Sequence, residues 1–458
     1  MNDITTLTPL KEPPGQSLFR ASAQARSQGD RATGRRLTEQ ALRFDPAIGG
    51  AWFNLGTDYM LEGKHEAAEA CFRRSVELLG EEPYALSNVG WSRYLQGDVH
   101  GGIAWTERSR KVTTSLPGPL NNLAHMYMGV RDHESGLSLA EQAIALDPGN
   151  PTYRVSRAFA LLYNDEVSKG LREYESRFRF KLKEFENYPM PFWRGEKTGH
   201  LFIVGEQGIG DTIQFGRFIK RAGMYAERLT ISVHPALVKL FTAEFDGLAT
   251  IIGSPAPMPE ADYYCPMMSL PVAMGLKDNE ILEIGEEWTG RPIATTIQPD
   301  WLVPSRKLHV GIAWAGSPDM ENNTNRSTVP EEFLALYDAP GIQLYSLQVG
   351  PEALPNKHAH LGNLIRDLSW EIRDVTDTMA IMEHLDAVVS VCTSVVHIAG
   401  AVCLPFAVLP PSRAPHWVWG YNDRSVWYPE TAHVFRQRFG GDWRPAMEEA
   451  AQWLTKLK

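Results

Sequence analysis

Three stretches of the sequence combine residue types that can do chemistry. The first is the glycine-punctuated loop "GEQGIGDT", which follows the apolar run "LFIV" and precedes a helix-like run. Gly208 and Gly210 allow backbone conformations that a side chain would forbid, and so bring Asp211 to the first turn of that helix. The carboxylate there either only caps the helix or also acts as a general base, a role that Glu206 or Gln207 could share.

The second stretch is the polar loop "AWAGSPDMENNTNRS", which follows another apolar run. Gly316 and Ser317 predict a turn whose hydroxyl and amide groups could hold phosphate oxygens. Arg326 carries a planar guanidinium that suits the same anion. An arginine in a polar loop is more often a solvated surface residue, and that interpretation stays open.

The third stretch, "VVSVCTSVVHIAG", predicts a strand, a short turn and a helix. Thr393 and Ser394 would cap the helix, whose free amide groups form a ready anion site. His397 lies one turn inside and could complement a phosphate, although a lone histidine near an apolar helix is usually a core residue. Repetition favours function, because all three loops would lie at carboxyl ends of strands and hold glycines, hydroxyls or charge.

Short apolar strands that alternate with helices must position these loops. "HLFIVG", "RLTISVH" and "LATIIG" predict strands, and "HVGIAWAG", "IQLYSLQVG", "DAVVSV" and "PFAVLP" restart the rhythm after the linker "EEWTGRPIATTIQPDWLVPSRK". The alternation predicts parallel sheets with crossover helices. Two such α/β units imply a cleft between two lobes, which is a usual place for a ligand.

The first third of the chain carries an internal repeat. "WFNLGTDY" contains Gly56, "LSNVGWSRY" places Gly90 in the matching position 34 residues later, and "LNNLAHMY" places Ala124 another 34 on. This is the period of tetratricopeptide repeats, which are helical hairpins that stack into a solenoid. Four to five hairpins are expected over about residues 15 to 180, and the middle repeat matches the signature least well.

Composition and charge narrow the classes of site and partner. A net charge of −10 gives no general attraction to nucleic acid, which is disfavoured as a partner but stays open. The scattered cysteines predict neither a zinc knuckle nor a disulfide framework, and without a D-x-D or a Walker lysine motif we expect no metal and no cofactor. The sequence shows neither a long apolar run nor a secretory signal, so we expect a cytoplasmic protein without a membrane span.

A series of motifs in order carries a family resemblance: "GEQGIGDTIQFGRF", "GIAWAGSPDMENNTNRS", "YSLQVG", "DTMAIMEHLDAVVSVCTSVVHIAGA", "HWVWGYNDRSVWYP" and "VFRQ". It resembles bacterial proteins that join tetratricopeptide repeats to a heptosyltransferase-like glycosyltransferase. The resemblance implies an α-helical tetratricopeptide solenoid followed by an α/β GT-B fold, in which two Rossmann-like lobes face a cleft. We expect the repeats at 1–182, the N-terminal (acceptor) lobe and linker at 183–300, and the C-terminal (nucleotide-sugar) lobe at 301–458.

The resemblance also implies roles for single residues. In heptosyltransferases the aspartate of the first glycine loop is taken as the acceptor base, and Asp211 occupies that place. Related sequences usually read Asp-Thr-Ser where this chain has Cys392, so altered donor choice, weak activity or a degenerate enzyme would each fit. The donor-binding residues that we expect are Gly316, Ser317, Arg326, Gln348, Thr393, Ser394 and His397.

Three functions stay open. The favoured one is a metal-independent, inverting glycosyltransferase that moves a sugar from a nucleotide-sugar donor to an acceptor hydroxyl. The acceptor would be a protein bound on the concave face of the repeats, such as flagellin or another surface protein. The second is an adaptor whose repeats bind partners while its lobes no longer react, and the third keeps the chemistry on a glycan, a lipid-linked sugar or a nucleic acid.

Overall fold

The computed structural model describes residues 13–180, 185, 188–284, 307–318, 323–413, 415–420, 425–438 and 441–457. Contacts divide the chain into two compact units, 1–153 and 154–458. The division falls inside a helix, upstream of the expected repeat boundary at 182, because the last repeat helices pack with elements that follow them. The expected linker lies outside the described residues except for Lys307, so the boundary at 300 stays a prediction.

The first unit is a solenoid of helical hairpins. Consecutive helices pack in pairs, and each pair packs on the next. The helices are α1 (Pro14–Ser27), α2 (Arg31–Phe44), α3 (Gly49–Leu61), α4 (His65–Leu79), α5 (Pro83–Leu95), α6 (Val99–Val112), α7 (Pro117–Gly129) and α8 (His133–Leu146). Within residues 13–180 five hairpins are present, since α9 (Pro151–Tyr163) and α10 (Val167–Tyr174) form the last pair.

The turn inside each hairpin repeats as regularly as the helices do. Gly29, Gly63 and Gly97 all have a positive φ, of +83°, +71° and +94°, in the turn after the first helix of a pair. A residue in this left-handed conformation ends a helix, and glycine adopts it without strain. Arg131 and Asp165 continue the series at φ 69° and 59° without that advantage.

The middle hairpin, α5 and α6, packs closely although its sequence matches the repeat signature least well. A Cβ on Gly90 would lie 2.1 Å from Thr106 Oγ1 and 2.6 Å from the Gly102 carbonyl oxygen. The small residues therefore let α5 and α6 approach more closely than the usual set would allow. Arg93, in a position where tyrosine is preferred, instead forms an ion pair with Asp98 at 2.5 Å.

The second unit contains two parallel sheets. After α11 (Arg177–Phe180), the first sheet has the strand order β3-β2-β1-β4. Its strands are β1 (Thr198–Val204), β2 (Ala226–Val233), β3 (Ala249–Gly253) and β4 (Tyr263–Pro266). Its helices are α12 (Ile209–Gly216), α13 (Ile219–Gly223), α14 (Val238–Glu244), α15 (Leu270–Ala273) and α16 (Asp278–Glu283).

The second sheet has the order β10-β9-β8-β5-β6-β7, which, read from β7, is the 3-2-1-4-5-6 order of doubly wound dinucleotide folds. Its strands are β5 (Leu308–Ala313), β6 (Ile342–Ser346), β7 (Ile365–Asp367), β8 (Ala387–Val391), β9 (Phe406–Leu409) and β10 (Ala432–Val434). Its helices are α17 (Asn323–Arg326), α18 (Leu354–Lys357), α19 (Val375–Met382), α20 (Ser394–Ala401) and α21 (Arg444–Leu454). The order reverses between β5 and β8, and ligands of such folds bind outside the carboxyl ends of the strands at this point.

The seven strands that the sequence predicted are confirmed, but β4, β7 and β10 were not predicted. Those three have three or four residues each, too few for an alternating pattern to register. The predicted helix "PEEFLALYD" is a 3-10 helix at Pro330–Asp338. Strand β8 is buried at every position because both faces of the second sheet are covered. Val388 packs in the core shared by the two sheets, and Val389 packs on the opposite face.

Candidate active site

Asp211 lies in the first turn of α12, just after the carboxyl end of β1. The backbone N–H of Gly208 donates to its Oδ2 at 3.1 Å, so the carboxylate caps the helix. Its side chain stays 18% exposed. Capping therefore leaves the second carboxylate oxygen available to other groups.

Gln207 holds the loop in a strained conformation. Its φ of 60° is rare for a residue with a side chain. Its exposed amide group donates from Nε2 to the hydroxyl of Tyr174 at 3.2 Å. Such strain persists only where the surroundings enforce it and is common at active sites.

Glu206 is occupied by a buried ion pair. Its Oε2 accepts from Arg177 Nε at 2.9 Å, and its Oε1 accepts from Arg177 Nη2 at 2.7 Å and from the Met268 N–H at 3.1 Å. The side chains of Glu206 and Arg177 are 1% and 3% exposed. This geometry gives Glu206 the task of fixing the loop to α11, and it leaves Asp211 as the carboxylate that faces the second sheet.

His416 reaches Asp211 from the second sheet. Its Nε2 lies 3.6 Å from Asp211 Oδ1. Its Nδ1 accepts the backbone N–H of Val418 at 3.4 Å, so in the neutral ring the proton is on Nε2 and faces the carboxylate. His416 Nε2 approaches Oδ1, whereas the Gly208 N–H donates to Oδ2, so the two groups contact different oxygens of the carboxylate.

His397 is the second imidazole at this site. Its Nδ1 lies 3.0 Å from the Tyr428 hydroxyl, and its ring centroid lies 6.3 Å from that of His416. A Cβ on Gly210 would come within 2.8 Å of His397 Cδ2, so the missing side chain at Gly210 is what lets α12 and α20 meet. The structure thus brings the first and third candidate loops together.

Burial and neighbours set the protonation states of this cluster. Burial raises the pKa of Asp211, but the neighbouring His416 and the Gly208 N–H outweigh it and hold the pKa below its ordinary value. Burial and the nearby His416 lower the pKa of His397 to about 3. At neutral pH the site therefore holds an ionised carboxylate beside a neutral His397.

The second candidate loop brings Arg326 against Gly316. A Cβ on Gly316 would lie 2.4 Å from Arg326 Nη2, so only glycine leaves room for this guanidinium. The Gly316 N–H donates to the Ser327 hydroxyl at 3.1 Å, which shapes the turn. Arg326 Nε is buried without a hydrogen-bond partner among the described residues, while Ser317 is exposed. An anion at this turn would satisfy the unpaired guanidinium.

Gln348 organises the same turn from the end of β6. Its Oε1 accepts the backbone N–H groups of Trp314 and Ala315 at 3.1 and 2.9 Å, and the side chain is buried. The amide oxygen is thus already used by the chain. Gln348 therefore stabilises the backbone of the expected phosphate turn. Because its side chain is buried, it is not in a position to contact a ligand directly.

The third candidate loop begins α20. Thr393 caps the helix by accepting the Val395 N–H at 3.3 Å, and Ser394 is its first residue. Cys392, which replaces the usual aspartate, is buried, and its Sγ accepts a hydrogen bond from Trp419 Nε1 at 3.0 Å. Burial raises the pKa of this thiol, so the position is neutral where an aspartate would be charged.

Sequence reasoning missed four residues of this site: Arg177, Arg217, His416 and Tyr428. Arg217 is 4% exposed, and its guanidinium carbon lies 4.5 Å from the centre of the Trp427 ring and 5.2 Å from that of Tyr428. The signal was present for three of them, because the motif "GEQGIGDTIQFGRF" contains Arg217 and the motif "HWVWGYNDRSVWYP" contains His416 and Tyr428. No pattern of spacing connects that segment to Asp211, which only the fold does.

Among the described residues no group of three His, Cys, Asp or Glu side chains could hold a metal ion. The rings of His358 and His360 both lie near Glu331 Oε1, at 3.4 and 3.1 Å. Over the same part of the chain no helix is long and apolar enough to cross a membrane.

A cavity of about 510 Å³ lies away from this site. It is found at the amino ends of β1 and β2, whereas ligands of parallel sheets bind at the carboxyl ends. Asp211 is not among the residues that line this cavity. Its lining residues are Lys197, Thr198, Gly199, Met224, Tyr225, Ala226 and Glu227.

Comparison with known proteins identifies the repeats. The tetratricopeptide repeat model matches residues 49–78, which span α3 and α4. The crystal structure of MamA is 18% identical and covers 36% of this chain and 96% of its own, with a TM-score of 0.30. TTC0263, a thermophilic tetratricopeptide protein of Thermus thermophilus, is 15% identical and covers 38% and 94%, with a TM-score of 0.34.

No curated protein matches the chain. The family model and the 34-residue recurrence of helices and turns agree on the first part of the molecule. The chain is therefore a tetratricopeptide-repeat protein, in which a helical solenoid is followed by a domain with parallel sheets.

Proposed function

We propose that the protein is an inverting, metal-independent glycosyltransferase of GT-B fold that uses a nucleotide-sugar donor. The observation that carries the proposal is the contact of Asp211 Oδ1 with His416 Nε2 at 3.6 Å, beside His397. It places an ionised, partly exposed carboxylate between two parallel sheets, at the carboxyl end of β1. The strand order of the second sheet supports a nucleotide there.

In the proposed reaction Asp211 is the general base. It removes the proton from the acceptor hydroxyl as that oxygen attacks the anomeric carbon. The new carbon–oxygen bond forms on the face opposite the departing group, while the bond from the anomeric carbon to the diphosphate oxygen breaks. The electron pair leaves with the nucleoside diphosphate, so the anomeric configuration inverts.

The negative charge that develops on the diphosphate needs fixed donors. The amino-terminal amide groups of α20, around Ser394, offer such donors, and Arg326 offers a cation without a carboxylate partner among the described residues. His397 is neutral at physiological pH, and because its Nδ1 lies against the Tyr428 hydroxyl, its Nε2 is the ring nitrogen that would face the diphosphate. These groups would stabilise the leaving diphosphate without a metal ion.

The repeats would bind the acceptor protein. Asn54, Asn88 and Asn122 recur at 34-residue intervals on the first helices of successive hairpins, and all three are half-buried. The amide groups of Asn54 and Asn88 carry no hydrogen bond within the described residues, and Asn122 donates to the Ser87 hydroxyl at 3.0 Å. Amide groups at this regular spacing, two of them without a hydrogen bond among the described residues, suit the backbone of an extended peptide, which offers N–H and C=O groups at regular intervals. Flagellin or another surface protein remains our proposed type of acceptor, in the cytoplasm.

A second candidate function is an adaptor without catalysis. Cys392 favours it, because a buried neutral thiol replaces the acid of related sequences and its sulfur already accepts from Trp419. The retention of an ionised Asp211 next to His416 and His397 weighs against it. The two functions differ in whether the second unit binds a nucleotide sugar.

A thermal-shift panel of nucleotide sugars tests the proposal. A ligand that binds only the folded state raises its stability, by about 2.7 kcal/mol at one hundred times Kd. We expect at least one donor to raise Tm, and Arg326→Leu to reduce that rise. Arg366→Leu, which changes an exposed arginine on β7, is the matched control and should leave the rise intact. A flat panel would favour the adaptor.

A further inference from the structure

Trp370 is an exposed aromatic side chain at the carboxyl end of β7. Its relative exposure of 71% is the largest among the exposed large apolar side chains of the described residues. The indole Nε1 donates to the Asp367 carbonyl at 3.2 Å, and no ring within the described residues packs against its face. The edge of the ring is thus anchored while its face stays open.

Hydrogen bonds hold the turn that carries Trp370. Asp367 accepts both the N–H and the hydroxyl of Ser369, at 3.2 and 2.8 Å, and Glu371 donates its N–H to the Leu368 carbonyl at 3.0 Å. A fixed exposed ring loses little conformational freedom when a flat ligand stacks on it. The hydrogen bonds that fix the ring therefore favour a binding role for Trp370 over that of an ordinary solvated side chain.

The turn lies at the same sheet edge as the proposed phosphate site. Ser346 of β6 pairs in register with Ile312 of β5 on one side and with Asp367 of β7 on the other. Ala313 pairs with Ser390 of β8, next to the start of α20. Three strand spacings separate β8 from β7, a distance of about 14 Å. A base, a ribose and two phosphates laid end to end across these strand ends suit that distance.

A second apolar side chain extends the surface. Val349 follows the end of β6 and is 45% exposed, so two open apolar groups lie at the ends of adjacent strands. The loop from β7 also approaches the first sheet, since Asp374 lies 3.9 Å from Lys239, which follows β2. The surface therefore reaches the first sheet, whose helix α12 carries Asp211.

We propose that Trp370, with Val349 beside it, is the platform on which the base of the donor nucleotide stacks. This inference rests on the proposed function, because it assumes that the nucleoside diphosphate lies with its phosphates at the switch between β5 and β8. Aromatic stacking accepts every base, so the platform accounts for nucleotide binding and leaves base choice to the groups around it.

Isothermal titration with UDP, ADP, GDP and inorganic pyrophosphate tests the platform. Trp370→Ala should weaken the nucleoside diphosphate that the parent binds by about 5- to 150-fold, the range for loss of one base–aromatic stack. Pyrophosphate has no base and should bind the variant as it binds the parent. Trp370→Phe keeps a ring and should lose much less affinity than Trp370→Ala, while the tryptophan quenching caused by the nucleotide should disappear.

Leu364→Ala provides the matched control, because Leu364 is 46% exposed at the opposite end of β7. Unchanged nucleoside diphosphate affinity in Trp370→Ala would overturn the platform while leaving the proposed function intact. An equal loss for pyrophosphate would also overturn it, because the substitution would then act on the fold or on the phosphate site. A parent that binds no nucleotide at all would overturn both proposals.

Discussion

His416 Nε2 lies 3.6 Å from Asp211 Oδ1. This contact joins a loop that follows β9 of the second sheet to the first turn of α12, which follows β1 of the first sheet. The histidine holds its ring in place by accepting the Val418 N–H on Nδ1. The aspartate keeps its other oxygen on the Gly208 N–H. The two side chains therefore meet as prearranged groups, each fixed by its own backbone.

His416→Phe should move the acidic limb of the pH–rate profile to higher pH. The reason is that His416 lowers the pKa of Asp211 against the effect of burial, so its loss raises that pKa and protonates the base at a higher pH. The profile of kcat/KM against pH measures this. His360→Phe, which alters a surface histidine near Glu331, should leave the profile unchanged, and a limb that stays in place in His416→Phe would contradict the role of the contact.

Gly210→Ala should lower the free energy of unfolding by about 1–3 kcal/mol, the usual cost of overpacking a tight contact. The added Cβ would lie 2.8 Å from His397 Cδ2 and 3.5 Å from Ser394 Cα, so the buried His397 ring, or α20 with it, must shift away from α12. Urea unfolding measures the change. Gly118→Ala in α7 is the matched control, because its Cβ would meet nothing closer than 3.8 Å. A Gly210→Ala variant as stable as that control would mean that the two helices do not pack tightly.

Glu206→Leu should lower the free energy of unfolding by up to about 3–5 kcal/mol, because it leaves the buried Arg177 charge with only the partly exposed Glu175, at 2.7 Å, as its partner. The double variant Arg177→Met and Glu206→Leu should lose less than Glu206→Leu alone, since the only charge then left without its partner is Glu175, which is partly exposed and accepts from the Ser269 hydroxyl. Chemical denaturation of both variants decides this. Glu166→Gln, which breaks the exposed pair with Lys169, should change stability by less than about 1 kcal/mol. A mild effect of Glu206→Leu would return Glu206 to the list of candidate catalytic groups.

Stability should fall between pH 7 and pH 5 because of His397. Burial lowers its pKa to about 3 in the folded state from 6.5, so below pH 6.5 the unfolded chain takes up a proton that the folded chain does not. The stability is therefore complete above pH 6.5 and is lost as pH falls towards 3, by about 2 kcal/mol at pH 5. Urea titrations at several pH values measure it. His397→Gln should flatten this part of the curve, and an unchanged slope would show that His397 is protonated in the folded protein.

The sequence predicted the elements that carry strong periodic signals. The 34-residue recurrence led to the hairpins, and apolar runs led to seven of the strands. Three or four residues cannot show a period, so β4, β7 and β10 escaped, whereas the equally short β9 was recognised as a run of apolar residues. The turn residues Gly29, Gly63 and Gly97 also recur every 34 residues and could have been read as helix ends.

The site was predictable only in its local parts. Asp211 and Thr393 sit at helix starts, which glycine and hydroxyl patterns mark, and both cap their helices. His416 comes from a segment with no such mark, and its approach to Asp211 depends on the packing of the two sheets. Glu206 stayed a secondary candidate for catalysis beside Asp211, because nothing in the sequence indicated that Arg177 would be buried against it.

Hydrolysis of the donor by the parent protein and by Asp211→Asn tests the central claim most directly. Asparagine can still accept the Gly208 N–H, so the helix cap and the donor affinity should persist. We predict that the parent releases nucleoside diphosphate from the nucleotide sugar that stabilises it, and that Asp211→Asn does so at least about 100-fold more slowly. Equal rates in the two proteins, or no release by either one, would contradict the claim that Asp211 is a catalytic base.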